Sequence, residues 1–276
     1  MHTFEVARIE HLTQHMIRVV LGGSGEGTGF DTFRPIDSTD AYVKLVFVDD
    51  AVDAGTLEQP LTLDSFAALD YAVRTYTVRH ADTARGEITI DFLVHGDQGV
   101  AGPWAACATP GQRIFVMGPS GAYAPDPAAD WHLLAGDEAA LPAISAALEA
   151  LPDNAIGQVF LEVAGPEDEI ELAAPVGVGV TWIYRGGRAD LIGDGSAGDH
   201  APLIAAVTEA AWLPGQVQAF IHGEAQAVMH NLRPYIRKVR GVEAAWASSI
   251  SGYWRRGRTE ETFRQWKREL AEAEAK

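Results

Sequence analysis

Residues 91–105 read Asp91-Phe92-Leu93-Val94-His95-Gly96-Asp97-Gln98-Gly99-Val100-Ala101-Gly102-Pro103-Trp104-Ala105. The stretch predicts a strand that runs into a glycine turn and then into a short helix starting near Gly102-Pro103, proline being suited to a first helical turn. Backbone N–H groups left over at such a junction can hold a phosphate. From residue 4 to residue 117, on both sides of this stretch, the chain is β in character. Segments 4–9, 16–21, 42–48, 72–79, 87–94 and 113–117 are short, rich in Val, Ile, Phe, Tyr and Thr, and separated by turn residues. They predict a closed barrel or a sandwich, of which a six-stranded antiparallel barrel is the form expected. Farther along the chain the pattern changes. After Pro125-Asp126-Pro127, strands expected at 131–135, 158–163, 178–184, 217–222 and 242–248 alternate with helices expected at 142–151, 202–212, 224–240 and 259–275. Such alternation builds a parallel sheet that binds ligands beyond the carboxyl ends of its strands. The fold class expected is therefore β-barrel plus α/β, with a barrel domain over 1–124 and an α/β domain over 125–276 that ends in a basic helix. A chain of 276 residues is long enough to bury two cores.

Composition narrows the functional classes. Hydrophobic residues make up 47% and charged residues 21%, as in folded soluble domains. A formal net charge of -17 opposes binding to nucleic acid or to an anionic membrane surface. The charge is uneven, however. Between Arg233 and Arg268 there are ten Lys/Arg against three acids, Glu243, Glu260 and Glu261. A basic region in an acidic protein suits a small anionic ligand, although a solvated helix face laced with ion pairs explains it as well. Cys107 is the one cysteine, so no internal disulfide forms and a reducing compartment fits. Residues 1–10 lack the pattern of a signal peptide, and no apolar run reaches the length of a membrane span, so a cytoplasmic location is expected.

In the barrel half, Arg74-Thr75-Tyr76-Thr77 lies on an expected strand. An arginine and an aromatic two residues apart share one strand face, where the first can pair with a diphosphate and the second can stack on a flat ring. Ordinary strand packing explains the same residues. Together with 91–105, however, this segment resembles the siderophore-interacting proteins, a branch of the ferredoxin-reductase-like flavoproteins. These carry an Arg-x-Tyr-Ser/Thr strand followed by a His-Gly-Asp-x-Gly-Pro-Ala-Ser-x-Trp-Ala turn. The resemblance extends over nearly the whole chain and implies FAD as cofactor. It assigns Arg74, Tyr76 and Thr77 to the flavin ring and ribityl-phosphate, and His95, Gly99, Ala101, Gly102 and Trp104 to the rest of FAD. Val100 stands where the family usually has Pro, and Gly102 where it usually has Ser. The second departure removes one hydroxyl donor to phosphate, worth about 1 to 3 kcal/mol when made to a charged group, which implies looser FAD binding.

In the α/β half, Gly136-Asp137-Glu138-Ala139-Ala140-Leu141-Pro142 forms a strand-to-helix turn without the Gly-x-Gly-x-x-Gly fingerprint. It resembles the family's Gly-Asp-Glu-Thr-Ala-x-Pro-Ala nicotinamide turn, with Ala139 where Thr is common. This implies nicotinamide contacts for Gly136, Asp137, Glu138 and Pro142. Arg185, at the end of an expected strand, can pair with an adenosine 2′-phosphate and so favour NADPH over NADH; a surface arginine without a ligand is the alternative. Gly223 and Glu224 resemble the family's Gly-Glu on the cofactor side. Near the end, Ser251-Gly252-Tyr253-Trp254-Arg255-Arg256-Gly257 resembles the family's Gly-Tyr-Trp-Arg-x-Gly stretch. The resemblance implies a cofactor-side Trp254 and a ferric-siderophore site at Arg255, Arg256 and Lys267. Trp254 also suits a packed core, and Phe263 with Trp266 has the spacing of a buried helix face.

Nine histidines give no ligand-like cluster beyond His11 and His15, so no bound metal is expected, and the pair Asp49-Asp50 reads as solvated loop charge. No Gly-x-Ser-x-Gly elbow or P-loop occurs. The function expected is NAD(P)H-dependent ferric-siderophore reduction. Nicotinamide gives two electrons as hydride and Fe(III) takes one, so a flavin is needed between them. No catalytic base is nominated. Rival readings are a general flavin or ferric reductase and a non-enzymatic ferric-siderophore carrier. A ferric siderophore is the expected partner, and a monomer is the expected state.

Overall fold

The computed structural model describes residues 1–23, 28–48, 61–94, 96, 99–187 and 193–274. His95 and the Asp49-Asp50 pair therefore lie outside the described residues. Chain contacts divide the molecule into two compact units, one of residues 1–124 with 145–150 and 167–172, the other of residues 125–144 with 151–166 and 173–276.

The first unit holds an antiparallel sheet of β1 (His2–His11), β2 (Met16–Gly22), β3 (Tyr42–Val48), β4 (Tyr71–Thr77), β5 (His80–Asp82), β6 (Glu87–Leu93) and β7 (Arg113–Ser120). Their order across the sheet is β4-β3-β7-β1-β2-β6-β5. Seven strands stand where six were expected. The segment expected as one strand over 72–79 ends at Thr77, and the chain then changes partners: Val78 N–H donates to Ala41 O at 2.7 Å, while Arg79 N–H donates to Thr89 O at 2.8 Å. Residues 78 and 79 thus pass the chain from one end strand, β4, to the other, β5, and the sheet curls round. Side chains alternate as the pleat requires. Val43, Leu45 and Phe47 join Ile88, Ile90 and Phe92 inside the barrel, whereas Val46 faces a separate cluster with Phe66 and Phe115. Each fully buried Leu, Ile or Phe of this set stabilises the fold by about 1.5–3 kcal/mol. The helix α1 spans Ala101–Cys107, so Pro103 is its third residue rather than its first.

The second unit is a parallel sheet of β8 (Trp131–Asp137), β9 (Gly157–Val163), β10 (Val178–Tyr184), β11 (Val217–Glu224) and β12 (Ser249–Trp254), in the order β10-β9-β8-β11-β12. Central strands of such a sheet are covered on both faces and read as continuous apolar runs. All seven residues of β8 are accordingly buried, while the end strand β10 is buried only at Val178 and is otherwise half-buried or exposed. Helices α2 (Leu141–Ala150), α3 (Pro202–Glu209) and α4 (Glu260–Glu274) accompany the strands. The helix expected at 224–240 is present but wound with π-type turns over Gln226–Leu232 and Tyr235–Val239. Pro234 lies between them and has no N–H for the regular ladder, a site where a wider turn is accommodated. The strand expected at 242–248 is instead a turn, in which Trp246 and Ala247 N–H both donate to Glu243 O, and the last strand begins at Ser249, opposite Phe220 of β11.

Candidate functional site

In the first unit, β4 is an end strand that pairs only with β3 among the named strands, placing Tyr76 opposite Val43 and Arg74 opposite Leu45. Arg74 and Tyr76 therefore share the face of β4 that looks toward the barrel core. The Tyr76 ring is half-buried and lies 4.5 Å from that of Phe92; Phe92 lies 5.6 Å from Trp104, and Trp104 lies 5.5 Å from Phe47. Phe92, which sequence reasoning left out of the site, is thus the link that joins the Arg-x-Tyr-Thr strand to the α1 turn. Arg74 Nη1 donates to Val73 O at 2.9 Å, and Thr77 is buried at the strand end. Gly99 has φ +83°, a conformation that favours glycine, and a Cβ built on it meets no atom within 4 Å. Ala101 is buried at the start of α1, and Gly102 lies against the end of β6, where an added Cβ would be 3.4 Å from Leu93 O. A cation, a half-buried aromatic on an end strand and open backbone at a glycine turn are a donor set that fits a flavin nucleotide.

In the second unit the expected residues gather at the carboxyl ends of the parallel strands. Asp137 closes β8 and ties three strands together. Its Oδ1 accepts the N–H of Ala139 at 3.0 Å, and its Oδ2 accepts both the N–H of Glu224 at 2.8 Å and the indole Nε1–H of Trp254 at 2.7 Å. Such close approach needs glycines. A Cβ on Gly136 would come within 2.5 Å of Ala140 Cβ and of His222 O, and one on Gly223, which has φ +148°, within 2.7 Å of Asp137 Oδ2. Glu224 turns back into its own helix start, its Oε2 accepting the N–H of Gln226 at 2.8 Å and that of Ala227 at 3.1 Å. Pro142, the second residue of α2, opens that helix in the buried run after the turn, as a proline in a first turn does.

Arg185 has an internal partner. Its side chain is 1% exposed and grips Glu138 with Nη2–Oε1 at 2.6 Å and Nη1–Oε2 at 2.7 Å, while its Nε is buried without a hydrogen-bond partner. Glu162, absent from the expected site, lies in the same cluster and accepts the N–H of Leu203 at the start of α3 at 2.8 Å. Its signal in the sequence is a lone acid at the end of the apolar run Val159-Phe160-Leu161. Burial raises the Asp137 carboxyl to about 7, reinforced by the charge of Glu138 and opposed by the Trp254 indole; burial also raises Glu162 to about 7, against the Leu203 N–H.

The basic residues separate by role. Lys267 Nζ is 3.1 Å from Ser251 Oγ and 3.3 Å from Gly252 O and lies over the Phe263 ring. Arg255 stacks 4.3 Å over Trp266, and the Phe263 and Trp266 rings are themselves stacked, so the two cations stand on adjoining aromatic faces. Burial and then the charge of Arg233 lower the Lys267 pKa. Arg256 instead pairs with exposed Asp194 at 2.6 Å. His222 is sandwiched between Phe220 and Tyr253 with Nε2 2.9 Å from Ser249 Oγ; burial and then Lys267 lower its pKa to about 3, which keeps it neutral. Among the described residues no group of His, Cys, Asp and Glu is arranged to hold a metal, and no helix is long and apolar enough to cross a membrane.

Residues 5–123 match the siderophore-interacting FAD-binding domain, and residues 129–257 match the siderophore-interacting protein family. The uncharacterized protein Rv2895c of Mycobacterium tuberculosis is 70% identical over 279 residues, covering 100% of this chain and 97% of its own. Ferric vibriobactin reductase ViuB of Vibrio cholerae is 32% identical over 270 residues, covering 95% of this chain and 92% of its own. The crystal structure of a siderophore utilization protein from T. fusca superposes with a TM-score of 0.77 at 35% identity, over 94% of each chain. The chain, with an FAD-binding domain in its first half, belongs to the siderophore-interacting protein family.

Proposed function

We propose that the chain is an NAD(P)H-dependent ferric-siderophore reductase, which takes electrons in a pair from a nicotinamide and returns them singly to siderophore-bound Fe(III). The observation that carries this reading is the pair of cations at the end of β12. Lys267 is held by a hydroxyl and a carbonyl, Arg255 lies on an indole, and both belong to a protein whose net charge is -17. Fe(III) in catecholate or hydroxamate ligands is an oxygen-rich complex, often anionic, and suits such a surface. The 32% identity to a ferric vibriobactin reductase supports the same substrate class.

Arg74 would neutralise the FAD diphosphate, Tyr76 and Thr77 would face the ring system, and the N–H groups of Gly99, Ala101 and Gly102 would meet phosphate oxygens. Bound FAD supplies the conversion between a two-electron donor and a one-electron acceptor. The Gly136-to-Pro142 turn and the Gly223-Glu224 edge would seat the nicotinamide, their backbone fixed by the Asp137 carboxylate. The protein's part is orientation rather than proton transfer. Product leaves because Fe(II) is held less well than Fe(III) by hard oxygen ligands.

The test is anaerobic and optical. Protein purified with FAD should be yellow, bleach on addition of a nicotinamide, and regain colour when a ferric siderophore is added, faster than with ferric citrate. A colourless protein that acquires no flavin spectrum with added FAD would sink the proposal, as would equal rates with the two iron complexes for the siderophore part of it.

A further inference from the structure

Arg185 and Glu138 form the central pair of a buried charge cluster. Glu138 Oε1 also accepts the N–H of Ala164 at 3.1 Å, so the carboxylate is fixed from two strands. Asp137 and Glu162 are each 6% exposed and Glu224 is 8% exposed, all at the same carboxyl edge of the sheet. Arg185 is the one buried Lys or Arg among the described residues, and there it stands against three carboxylates, those of Glu138, Glu162 and Asp137.

We propose that this edge selects a dinucleotide with a free adenosine 2′-hydroxyl, so that the protein uses NADH in preference to NADPH. The inference rests on the reductase reading above and specifies its electron donor. An arginine at the end of β10 can take a 2′-phosphate only by leaving Glu138, which would strand a buried carboxylate without its counter-ion. The 2′-phosphate brings a charge of about -1.5 to -2 near pH 7 toward a cluster that is already acidic. A hydroxyl brings no charge and can donate to a carboxylate, the arrangement by which strand-end acids read ribose.

The test is a calorimetric titration of the full-length, FAD-supplemented chain with ADP-ribose and with 2′-phospho-ADP-ribose at pH 7.5, neither of which reacts with flavin. ADP-ribose should bind tighter by about tenfold. Equal or tighter binding of the phosphorylated ligand, whatever cation provides it, overturns the proposal and leaves the reductase reading standing; failure of both ligands to bind overturns both. In Glu138→Gln the guanidinium loses its charge partner, and the ratio should narrow; a folded Glu138→Gln protein with the wild-type ratio also overturns the assignment. The wild-type ratio should widen from pH 6 to pH 8 as Asp137 and Glu162 lose protons, and a flat ratio counts against it.

Discussion

The indole of Trp254 donates to Asp137 Oδ2 at 2.7 Å, and through that oxygen the end of β12 is fastened to the ends of β8 and β11. A tryptophan here is more than apolar filling, because its N–H compensates half of a buried carboxylate oxygen. Trp254→Phe keeps most of the ring and removes the donor, leaving the Glu224 N–H as the partner of Oδ2. The expected loss in stability is about 1–3 kcal/mol, read from urea unfolding, with weaker nicotinamide binding because the 136–142 turn loses a fixed point. A Phe variant as stable as the parent would show that the bond carries no weight.

The α1 turn offers a gain rather than a loss. On the resemblance drawn from the sequence, Gly102 stands at a serine position, and an added Cβ would make only ordinary contact, 3.4 Å from Leu93 O and 3.7 Å from Val94 Cα. Gly102→Ser should therefore fit without moving the helix and restore a hydroxyl donor to phosphate. FAD should bind tighter by about tenfold, within the range of one hydrogen bond to a charged group. Flavin fluorescence titration gives the constant directly, and an unchanged or weaker constant would exclude a phosphate contact at this position.

Much of this architecture is legible in the chain, and the failures have physical causes. Buried parallel strands such as Val159-Phe160-Leu161 announce themselves because both faces are apolar. The last strand does not, because Ser249, Ser251 and Gly252 dilute its pattern, while the apolar stretch at 242–248 just before it folds as a turn on Glu243. The three residues of β5 are too few to show a period. Arg185 was read by its place at a strand end, and nothing local reveals that Glu138, 47 residues earlier, arrives to neutralise it. Arg74, Tyr76 and the 99–104 turn were legible as neighbours only through their resemblance to a family; Phe92, which joins them, looks in sequence like any core residue.

Replacing Arg255 and Lys267 together by Met keeps their aliphatic cover over Trp266 and Phe263 and removes both charges. On the proposed function, KM for an anionic ferric siderophore should rise about tenfold, with a weaker dependence on salt, since each cation contributes a screened attraction. Steady-state rates at two ionic strengths measure both effects. A double variant with wild-type KM would favour a general ferric reductase that does not grip its iron complex here.

Glu162 gives the protein a stability that depends on pH in a direction opposite to that of most carboxylates. Its carboxyl is raised by burial from an ordinary value of 4.5 to about 7 in the folded chain, so the folded state holds a proton that the unfolded state has released. The contribution is complete below the unfolded value and is lost as pH rises through the folded one. Glu162→Gln keeps an oxygen for the Leu203 N–H and removes the titration. From pH 5 to pH 8 the variant should therefore gain on the parent by on the order of 3 kcal/mol, the worth of a shift of this size, with most of the change complete just above pH 7. Urea midpoints of the two proteins at four pH values measure the gap, and two parallel curves would mean that Glu162 reaches water and titrates as it does unfolded.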